Sequence, residues 1–285
     1  MLRFLNRHRS TYIILVISMV AMVFAYKVLS GNKVPQPPPI PLLPKSEKET
    51  SLNTIVSTSP MGAATKRYKQ EHFTTLNGTQ LTYYWLPPNN REKAPLPLTI
   101  ILHDASGRAN AGEYLAGAGM QKAYPSYVVV PVIGKPPIWA HPDTKYADYE
   151  NLGYIEELIG ELMQAYPIDR NRIYIIGCSM GGMGTFGAIS RYPDLFAAGI
   201  AIAGQWNIID APIMKNTPLL VIHGDQDKSM PVEDTRELVK TIEDNGGTRI
   251  VYREVENIGH TCSDPRFYIL PIWKWLFSQS KTRSP

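Results

Sequence analysis

The segment 172–182 constrains the fold of this chain more than any other stretch. An apolar run at 172–176 leads directly into Gly177-Cys178-Ser179-Met180-Gly181, and a helix-like pattern follows at 182–192. A Gly-x-Ser-x-Gly sequence between a strand and a helix predicts a tight turn that exposes the serine, because small flanking residues leave room for it. We therefore expect Ser179 to be a nucleophile and the Met180 N–H to stabilise an oxyanion. The alternative is an ordinary serine in a glycine-rich turn.

The rest of the chain alternates strand-like and helix-like patterns. A hairpin is predicted at 71–85, around the turn residues Asn77-Gly78. Further strands are predicted at 98–102, 127–132, 172–176, 198–203, 219–222 and 249–255, and helices at 148–166, 182–192, 232–244 and 267–278. The alternation predicts an α/β fold with a mostly parallel sheet, helices on both faces and functional residues at the carboxyl ends of the strands. The segment between 203 and 219 is too short for a large lid.

Residues 1–30 are predicted to be a membrane anchor or a cleaved export signal. Arg3, Arg7 and Arg9 precede an uncharged apolar stretch at 12–26. This length lies between that of a signal-peptide core and that of a spanning helix, so both interpretations stay open. Since the positive residues precede the apolar stretch, the remainder is expected on the periplasmic or extracellular side, anchored to the membrane, or secreted if the segment is cleaved.

Composition separates a linker from a folded domain and excludes several functions. Residues 31–66 contain a proline-rich run and are predicted to be an extended linker, which leaves 67–285 as one catalytic domain. The net charge is +4, and much of the basic excess lies before the domain, so no nucleic-acid partner is expected. The two cysteines and six histidines show no zinc-like spacing, and no metal or cofactor is expected.

A serine nucleophile needs a general base and an orienting carboxylate, and candidates for both follow Ser179 in the sequence. The predicted strand at 219–222 leads into a turn that contains Asp225 and Asp227, and the strand at 249–255 leads to His260. The order Ser, Asp, His after separate strands is that of a nucleophile-elbow hydrolase. Either aspartate could be the acid by position alone, and His260 could instead be a loop histidine bonded to a carbonyl.

From about residue 68 onward the chain resembles the α/β-hydrolase superfamily, closest to single-domain esterases and predicted peptidases related to feruloyl esterases, polyhydroxybutyrate depolymerases and dienelactone hydrolases. The resemblance rests on 177–182, 223–231 and 259–260. It implies that Asp227, the last residue of a His-Gly-x-x-Asp turn, is the acid, and that His260 is the base. It also implies hydrolysis of a small-molecule ester through an acyl-enzyme. A prolyl-oligopeptidase-like peptidase and a non-catalytic, membrane-tethered binding protein are the alternatives.

The second oxyanion donor is expected in the loop after the strand at 98–102. Relatives have His-Gly where this chain has His103-Asp104, and a carboxylate facing a developing oxyanion would oppose catalysis. We therefore expect Asp104 to point away and assign the donor to the Ala105 N–H, with the Asp104 N–H as second choice. Replacement of Asp104 by glycine should preserve or raise turnover unless its carboxylate makes a structural hydrogen bond.

Two aromatic residues and two cysteines complete the set of candidates. Trp139 and Trp206 follow strands and could line a substrate pocket, although ordinary loop packing explains them equally well. Cys178 and Cys262 lie beside the predicted nucleophile and just past the predicted base. Two buried thiols are the favoured interpretation. A disulfide is the alternative, because tannase-like and feruloyl-esterase-like relatives bridge cysteines next to their serine and histidine.

Overall fold

A central sheet of eight strands organises the part of the chain that the computed structural model describes, which is residues 62–88, 95–134, 138–143 and 151–281. The spatial order of the strands is β1-β2-β4-β3-β5-β6-β7-β8. The strands are β1 Lys69–Thr74, β2 Gln80–Leu86, β3 Leu96–Leu102, β4 Tyr127–Val132, β5 Ile168–Cys178, β6 Ala198–Ile202, β7 Leu219–Gly224 and β8 Ile250–Val255.

The sheet is antiparallel at one edge and parallel elsewhere. Strands β1 and β2 pair antiparallel, as do β2 and β4, whereas all other neighbouring strands pair parallel. The predicted hairpin is confirmed, because Thr74 pairs with Gln80 across the two strands. Gly78 in the turn has a backbone φ of +85°, which residues other than glycine rarely adopt. The parallel part carries β5, β6, β7 and β8 side by side, so their carboxyl ends meet at one edge.

Helices cover both faces of the sheet. Leu158, Phe186 and Leu238 belong to one buried cluster, and Leu115 and Trp273 belong to a second cluster. The α-helices are α1 Asn110–Leu115, α2 Ala118–Ala123, α3 Leu152–Ala165, α4 Met180–Arg191, α5 Ala211–Met214, α6 Val232–Asp244 and α7 Leu270–Ser278. The predicted mostly parallel α/β fold with helices on both faces is therefore confirmed.

The residue patterns explain why these elements form. The centre of β5 at Tyr174 and Ile175 is completely buried, as expected for a strand covered on both faces. Helix α6 buries Thr235, Leu238 and Ile242, which lie three and four residues apart on one helical face. Because Thr235 is polar and belongs to this buried face, it must find hydrogen-bond partners inside the protein.

Several boundaries differ from the sequence predictions. The helix predicted at 267–278 begins at Leu270, because Pro265–Phe267 forms a 3-10 turn and Pro271 occupies the first turn of α7, where its missing N–H is tolerated. The sequence did not predict α1 and α2. Between β6 and β7 lie only a 3-10 turn at Ile208–Asp210 and the short α5, in keeping with the expected absence of a large lid.

The predicted anchor at 1–30 lies outside the described residues, as does nearly all of the linker at 31–66. The domain boundaries therefore stay predictions. Among the helices that are described, none combines the length and the apolar character needed to cross a bilayer.

Candidate active site

Ser179 occupies a strained turn between β5 and α4. Its backbone has φ 54° and ψ −120°, a left-handed conformation that is uncommon for residues other than glycine. The chain approaches itself closely here: a Cβ on Gly177 would lie 2.0 Å from the Gly181 oxygen, and one on Gly181 would lie 2.3 Å from the Leu102 oxygen. Both glycines are therefore required by the space available, and the turn has the form of a nucleophile elbow.

The three residues predicted for catalysis form one continuous chain of hydrogen bonds. Ser179 Oγ lies 2.9 Å from His260 Nε2, and His260 Nδ1 lies 2.7 Å from Asp227 Oδ2. Ser179 is 9% exposed, the His260 side chain is 27% exposed, and the Asp227 side chain is completely buried. The serine and imidazole are thus reachable from solvent, whereas the carboxylate is shielded from water.

The Asp227 carboxylate is held by the turn that follows β7. Its Oδ1 accepts hydrogen bonds from the N–H groups of Ser229 and Met230, both at 2.9 Å. Burial alone would raise the pKa of the Asp227 carboxyl. The hydrogen bonds from Met230 and His260 lower this pKa by a larger amount, so the net pKa is below the usual value. The carboxylate is therefore ionised at neutral pH and can stabilise a protonated His260.

The competing acid, Asp225, has a different role in the same turn. Its Oδ1 accepts a hydrogen bond from the Ile258 N–H at 3.2 Å, and its own N–H donates to the Val255 oxygen at 3.1 Å. Asp225 thus joins the turn after β7 to the segment that leads to His260. Among the hydrogen bonds within the described chain, only Asp227 of the two aspartates contacts the imidazole.

The loop after β3 is built around Asp104. Asp104 Oδ1 accepts hydrogen bonds from the Ser106 N–H at 2.8 Å, from the Ser106 hydroxyl at 2.6 Å and from the Arg108 N–H at 3.0 Å. The Asp104 N–H donates to the Arg108 oxygen at 2.9 Å, so the second-choice oxyanion donor is already occupied. The carboxylate therefore makes structural hydrogen bonds, which is the condition under which Asp104→Gly is not expected to preserve turnover.

Two N–H groups fit the remaining oxyanion role. Met180 is the first residue of α4, and the first backbone N–H groups of a helix lack acceptors within the helix. Ala105 is exposed, and the described residues offer its N–H no hydrogen-bond acceptor. Their assignment to an oxyanion hole stays a prediction.

Trp139 is packed inside the protein, which favours loop packing over pocket lining, the two alternatives that the sequence left open. Its side chain is completely buried, and its indole N–H donates to the His103 oxygen at 2.9 Å. Helix α4 packs directly against the Trp139 side chain, because a Cβ on Gly184 would lie only 2.5 Å from the Trp139 Cβ. His103 in turn donates from Nδ1 to the Asp104 oxygen at 2.7 Å, and burial lowers its pKa. Trp139 and His103 therefore support the loop after β3.

Trp206 borders an open cleft of about 500 Å³, and none of Ser179, Asp227 and His260 is among the residues that line it. It is 7% exposed, and its indole N–H donates to Asp210 Oδ2 at 2.8 Å. The loop that carries it follows β6, whose last residue, Ile202, accepts the Ser179 N–H at 2.9 Å. A role for Trp206 in substrate binding stays a prediction. The residues lining the cleft are Pro142, Asp143, Gln205, Trp206, Asn207, Ile208, Asp234 and Glu237.

Cys178 and Cys262 form a disulfide, so the favoured expectation of two buried thiols is wrong. The hydrogen bond between Ser179 and His260 brings their loops together and leaves the two cysteine Cα atoms 5.8 Å apart, within the usual range for a disulfide. The bond ties the residue before the serine to the loop that carries the imidazole.

Sequence reasoning missed two buried residues behind the acid, His223 and Thr235. The His223 imidazole lies 3.3 Å from Asp227 Oδ2 and 2.9 Å from the Thr235 hydroxyl. In the sequence, the one feature that could have pointed to His223 is its place as the first residue of the His-Gly-x-x-Asp motif at 223–227. Within the described part of the chain, no group of three or more His, Cys, Asp or Glu side chains could hold a metal ion.

Comparisons with known proteins find similarity to esterases. Residues 145–269 match the phospholipase/carboxylesterase family. NocK from Nocardia uniformis subsp. tsuyamanensis, named as an esterase, is 31% identical over 147 residues, which are 48% of this chain and 42% of NocK. Acetylxylan esterase A from Emericella nidulans is 27% identical over 135 residues, 45% of this chain and 43% of that protein. The matched segment thus spans less than half of each relative.

A solved structure of a thermostable esterase matches more of the chain. It superposes with a TM-score of 0.69 at 30% identity, over 76% of this chain and 64% of that one. The strand order, the elbow at Ser179 and this superposition agree with one another, and the described part of the chain has the α/β-hydrolase fold.

Proposed function

We propose that this chain is a serine esterase that hydrolyses carboxylic esters of small molecules through an acyl-enzyme intermediate. The observation that carries the proposal is the hydrogen-bonded chain from Ser179 through His260 to the buried Asp227, at 2.9 Å and 2.7 Å. The esterase relatives support the same reaction class.

The reaction follows from the position of each group. His260 Nε2 accepts the hydroxyl proton as Ser179 Oγ attacks the ester carbonyl, and Asp227 stabilises the imidazolium that forms. The N–H groups of Met180 and Ala105 bind the developing oxyanion. Collapse of the tetrahedral intermediate breaks the bond to the alcohol, which takes the proton from His260. Water then attacks the acyl-enzyme with His260 as base, and the carboxylic acid leaves as Ser179 regains its proton.

The cleft that Trp206 borders has side chains suited to a neutral, hydroxylated substrate. Trp206 offers an aromatic edge, Gln205 and Asn207 offer amide groups, and Asp234 and Glu237 offer carboxylates. Amides and carboxylates can hydrogen-bond to hydroxyl groups, and carboxylates repel anionic substrates. Because one relative is named as an acetylxylan esterase, acetyl esters of hydroxylated compounds are the first substrates to test.

The test is a screen of the purified protein against p-nitrophenyl acetate, a long-chain p-nitrophenyl ester, methyl ferulate, acetylated xylan and an N-acylated peptide anilide. We expect ester hydrolysis that disappears in Ser179→Ala and persists in a matched control, Ser278→Ala, whose hydroxyl donates to the Trp275 oxygen and accepts from Gln279 Nε2. Cleavage of the peptide anilide alone would indicate a peptidase, and no cleavage of any substrate would contradict the proposal.

We also propose that residues 1–30 hold the domain on the outer side of a membrane. The arginines at the N-terminus and the apolar stretch at 12–26 support this location. Protease added to spheroplasts should digest the domain, which should stay in the membrane fraction after a high-salt wash. Complete protection would contradict the topology, and a soluble product beginning near Gly31 would show a cleaved signal instead.

A further inference from the structure

His223 is a completely buried histidine that touches the proposed catalytic acid. It lies near the end of β7, four residues before Asp227, and both side chains have no exposed surface. Its Nε2 lies 2.9 Å from the Met230 oxygen and 3.3 Å from Asp227 Oδ2. Its Nδ1 lies 2.9 Å from the Thr235 hydroxyl on α6.

These contacts identify the protonation state of the imidazole. Nε2 faces two acceptors, a carbonyl and a carboxylate, so Nε2 must carry a proton. Burial lowers the pKa of His223 by more than the Met230 oxygen and Asp227 raise it, so the ring is neutral and Nδ1 is an acceptor. The single hydroxyl proton of Thr235 is then shared between Nδ1 and the Gly204 oxygen, which lie 2.9 Å and 3.0 Å from the hydroxyl oxygen.

The Nε2–H group shares an oxygen with the proposed base. Asp227 Oδ1 accepts hydrogen bonds from two backbone N–H groups, and Asp227 Oδ2 accepts one from His260 Nδ1 at 2.7 Å. His223 Nε2 lies 3.3 Å from the same Oδ2. A carboxylate with donors on both oxygens cannot rotate without losing at least one of them. The position of Oδ2 in turn fixes the orientation of the His260 ring.

We propose that His223 is a positioning residue for Asp227, whose Nε2–H holds Oδ2 in line with His260 Nδ1. This inference rests on the proposed function, because it assigns His223 a role in orienting the proposed base. The competing explanation is that His223 only braces the turn through the Met230 oxygen, its shorter contact. That explanation predicts a loss of stability with no specific link to Asp227.

Two amide substitutions of different length test whether a donor is needed at the place of Nε2. Because this donor faces both the Met230 oxygen and Asp227, the link to Asp227 is tested by repeating the substitution in an Asp227→Ala background. In His223→Gln the amide nitrogen reaches the place of Nε2 and keeps a donor toward Asp227. In His223→Asn the shorter amide reaches only the place of Nδ1, near Thr235, and leaves Asp227 Oδ2 without this donor. Both variants are polar and of comparable size, so a generic loss of packing affects them in the same direction.

We expect His223→Asn to lower kcat for p-nitrophenyl acetate by about 10-fold to 100-fold with KM changed by less than about threefold, because misplaced catalytic groups slow chemistry more than binding. His223→Gln should keep at least about a third of wild-type kcat. The same order should appear in the rate at which diethyl p-nitrophenyl phosphate modifies Ser179, a reaction that requires an activated serine and no ester substrate.

The decisive comparison repeats His223→Asn in an Asp227→Ala background. If His223 acts through Asp227, the second substitution should change kcat by less than about twofold, because coupled residues are non-additive. An equal loss in both backgrounds, or equal losses in the Gln and Asn variants, would overturn the proposal. If His223→Asn does not fold, His223→Leu replaces it as the variant without a donor. A wild-type protein that neither hydrolyses esters nor reacts with the phosphate triester would contradict the proposed function instead.

Discussion

Replacing Asp227 with asparagine changes little in shape and is expected to remove almost all turnover. Asp227 Oδ1 accepts two hydrogen bonds at 2.9 Å, from the N–H groups of Ser229 and Met230, so the amide oxygen of the variant must take that place. The amide nitrogen then replaces Oδ2, which lies 2.7 Å from His260 Nδ1. Because this nitrogen is a donor, Nδ1 must accept, and the ring proton moves to Nε2. His260 then cannot accept the Ser179 proton.

The magnitude follows from this change of tautomer. In a serine–histidine–aspartate site, the wrong imidazole tautomer lowers kcat by about 10⁴. At about 1.4 kcal/mol for each tenfold change, this corresponds to about 5 kcal/mol of transition-state stabilisation. The amide nitrogen also replaces the oxygen that lies 3.3 Å from His223 Nε2 and leaves that buried donor without a carboxylate partner. Because Nε2 keeps its 2.9 Å contact with the Met230 oxygen, we expect the free energy of unfolding to fall by only about 0.5–1.5 kcal/mol.

The assay is steady-state hydrolysis of p-nitrophenyl acetate, with thermal unfolding measured on the same samples. The matched control is Asp225→Asn, which lies in the same turn but contacts the Ile258 N–H at 3.2 Å. Because its oxygen can stay in place as an acceptor, we expect this variant to lose less than about tenfold in kcat. Equal losses in the two variants, or a larger loss in Asp225→Asn, would refute the assignment of the acid.

Two further predictions concern the loops around the serine. Asp104→Gly should lower kcat by about tenfold, because it removes the acceptor that orders Ser106 and Arg108. Asp104→Asn should lower kcat by less than about threefold. An unchanged kcat in Asp104→Gly would contradict the structural role of this carboxylate. Replacing both Cys178 and Cys262 with alanine should lower the free energy of unfolding by about 2–4 kcal/mol in chemical denaturation, because the bond closes a loop with a sequence separation of 84. Identical denaturation curves for this variant and the non-reduced wild type would argue against the disulfide.

The features that the sequence predicted are encoded locally. The elbow at Ser179 needs a strand, two small residues and a helix in succession, and all of these lie within 172–192. The parallel strands could be predicted because each is a continuous apolar run, as in the buried centre of β5. The approach of Ser179, Asp227 and His260 then follows from the strand order, since parallel strands present their carboxyl ends at one edge.

The features that the sequence did not predict depend on contacts between distant segments. The burial of Trp139 results from its packing against Gly184 and His103, neither of which is a neighbour in the sequence. The disulfide requires the loops of Cys178 and Cys262 to meet at the correct separation. The contact between His223 and Asp227 depends on how one turn folds back on its own strand, which a motif of five residues does not specify.

The identity of the nucleophile is the central claim, and covalent labelling tests it most directly. Diethyl p-nitrophenyl phosphate transfers its phosphoryl group to an activated serine, forms a stable adduct and releases p-nitrophenolate. Mass spectrometry of the digested protein should locate a stoichiometric adduct on Ser179, and its accumulation should parallel the loss of ester hydrolysis. Ser179→Ala should release no stoichiometric burst of p-nitrophenolate. Hydrolysis that continues after Ser179 is fully modified, or inhibition with the adduct on another residue, would contradict the account.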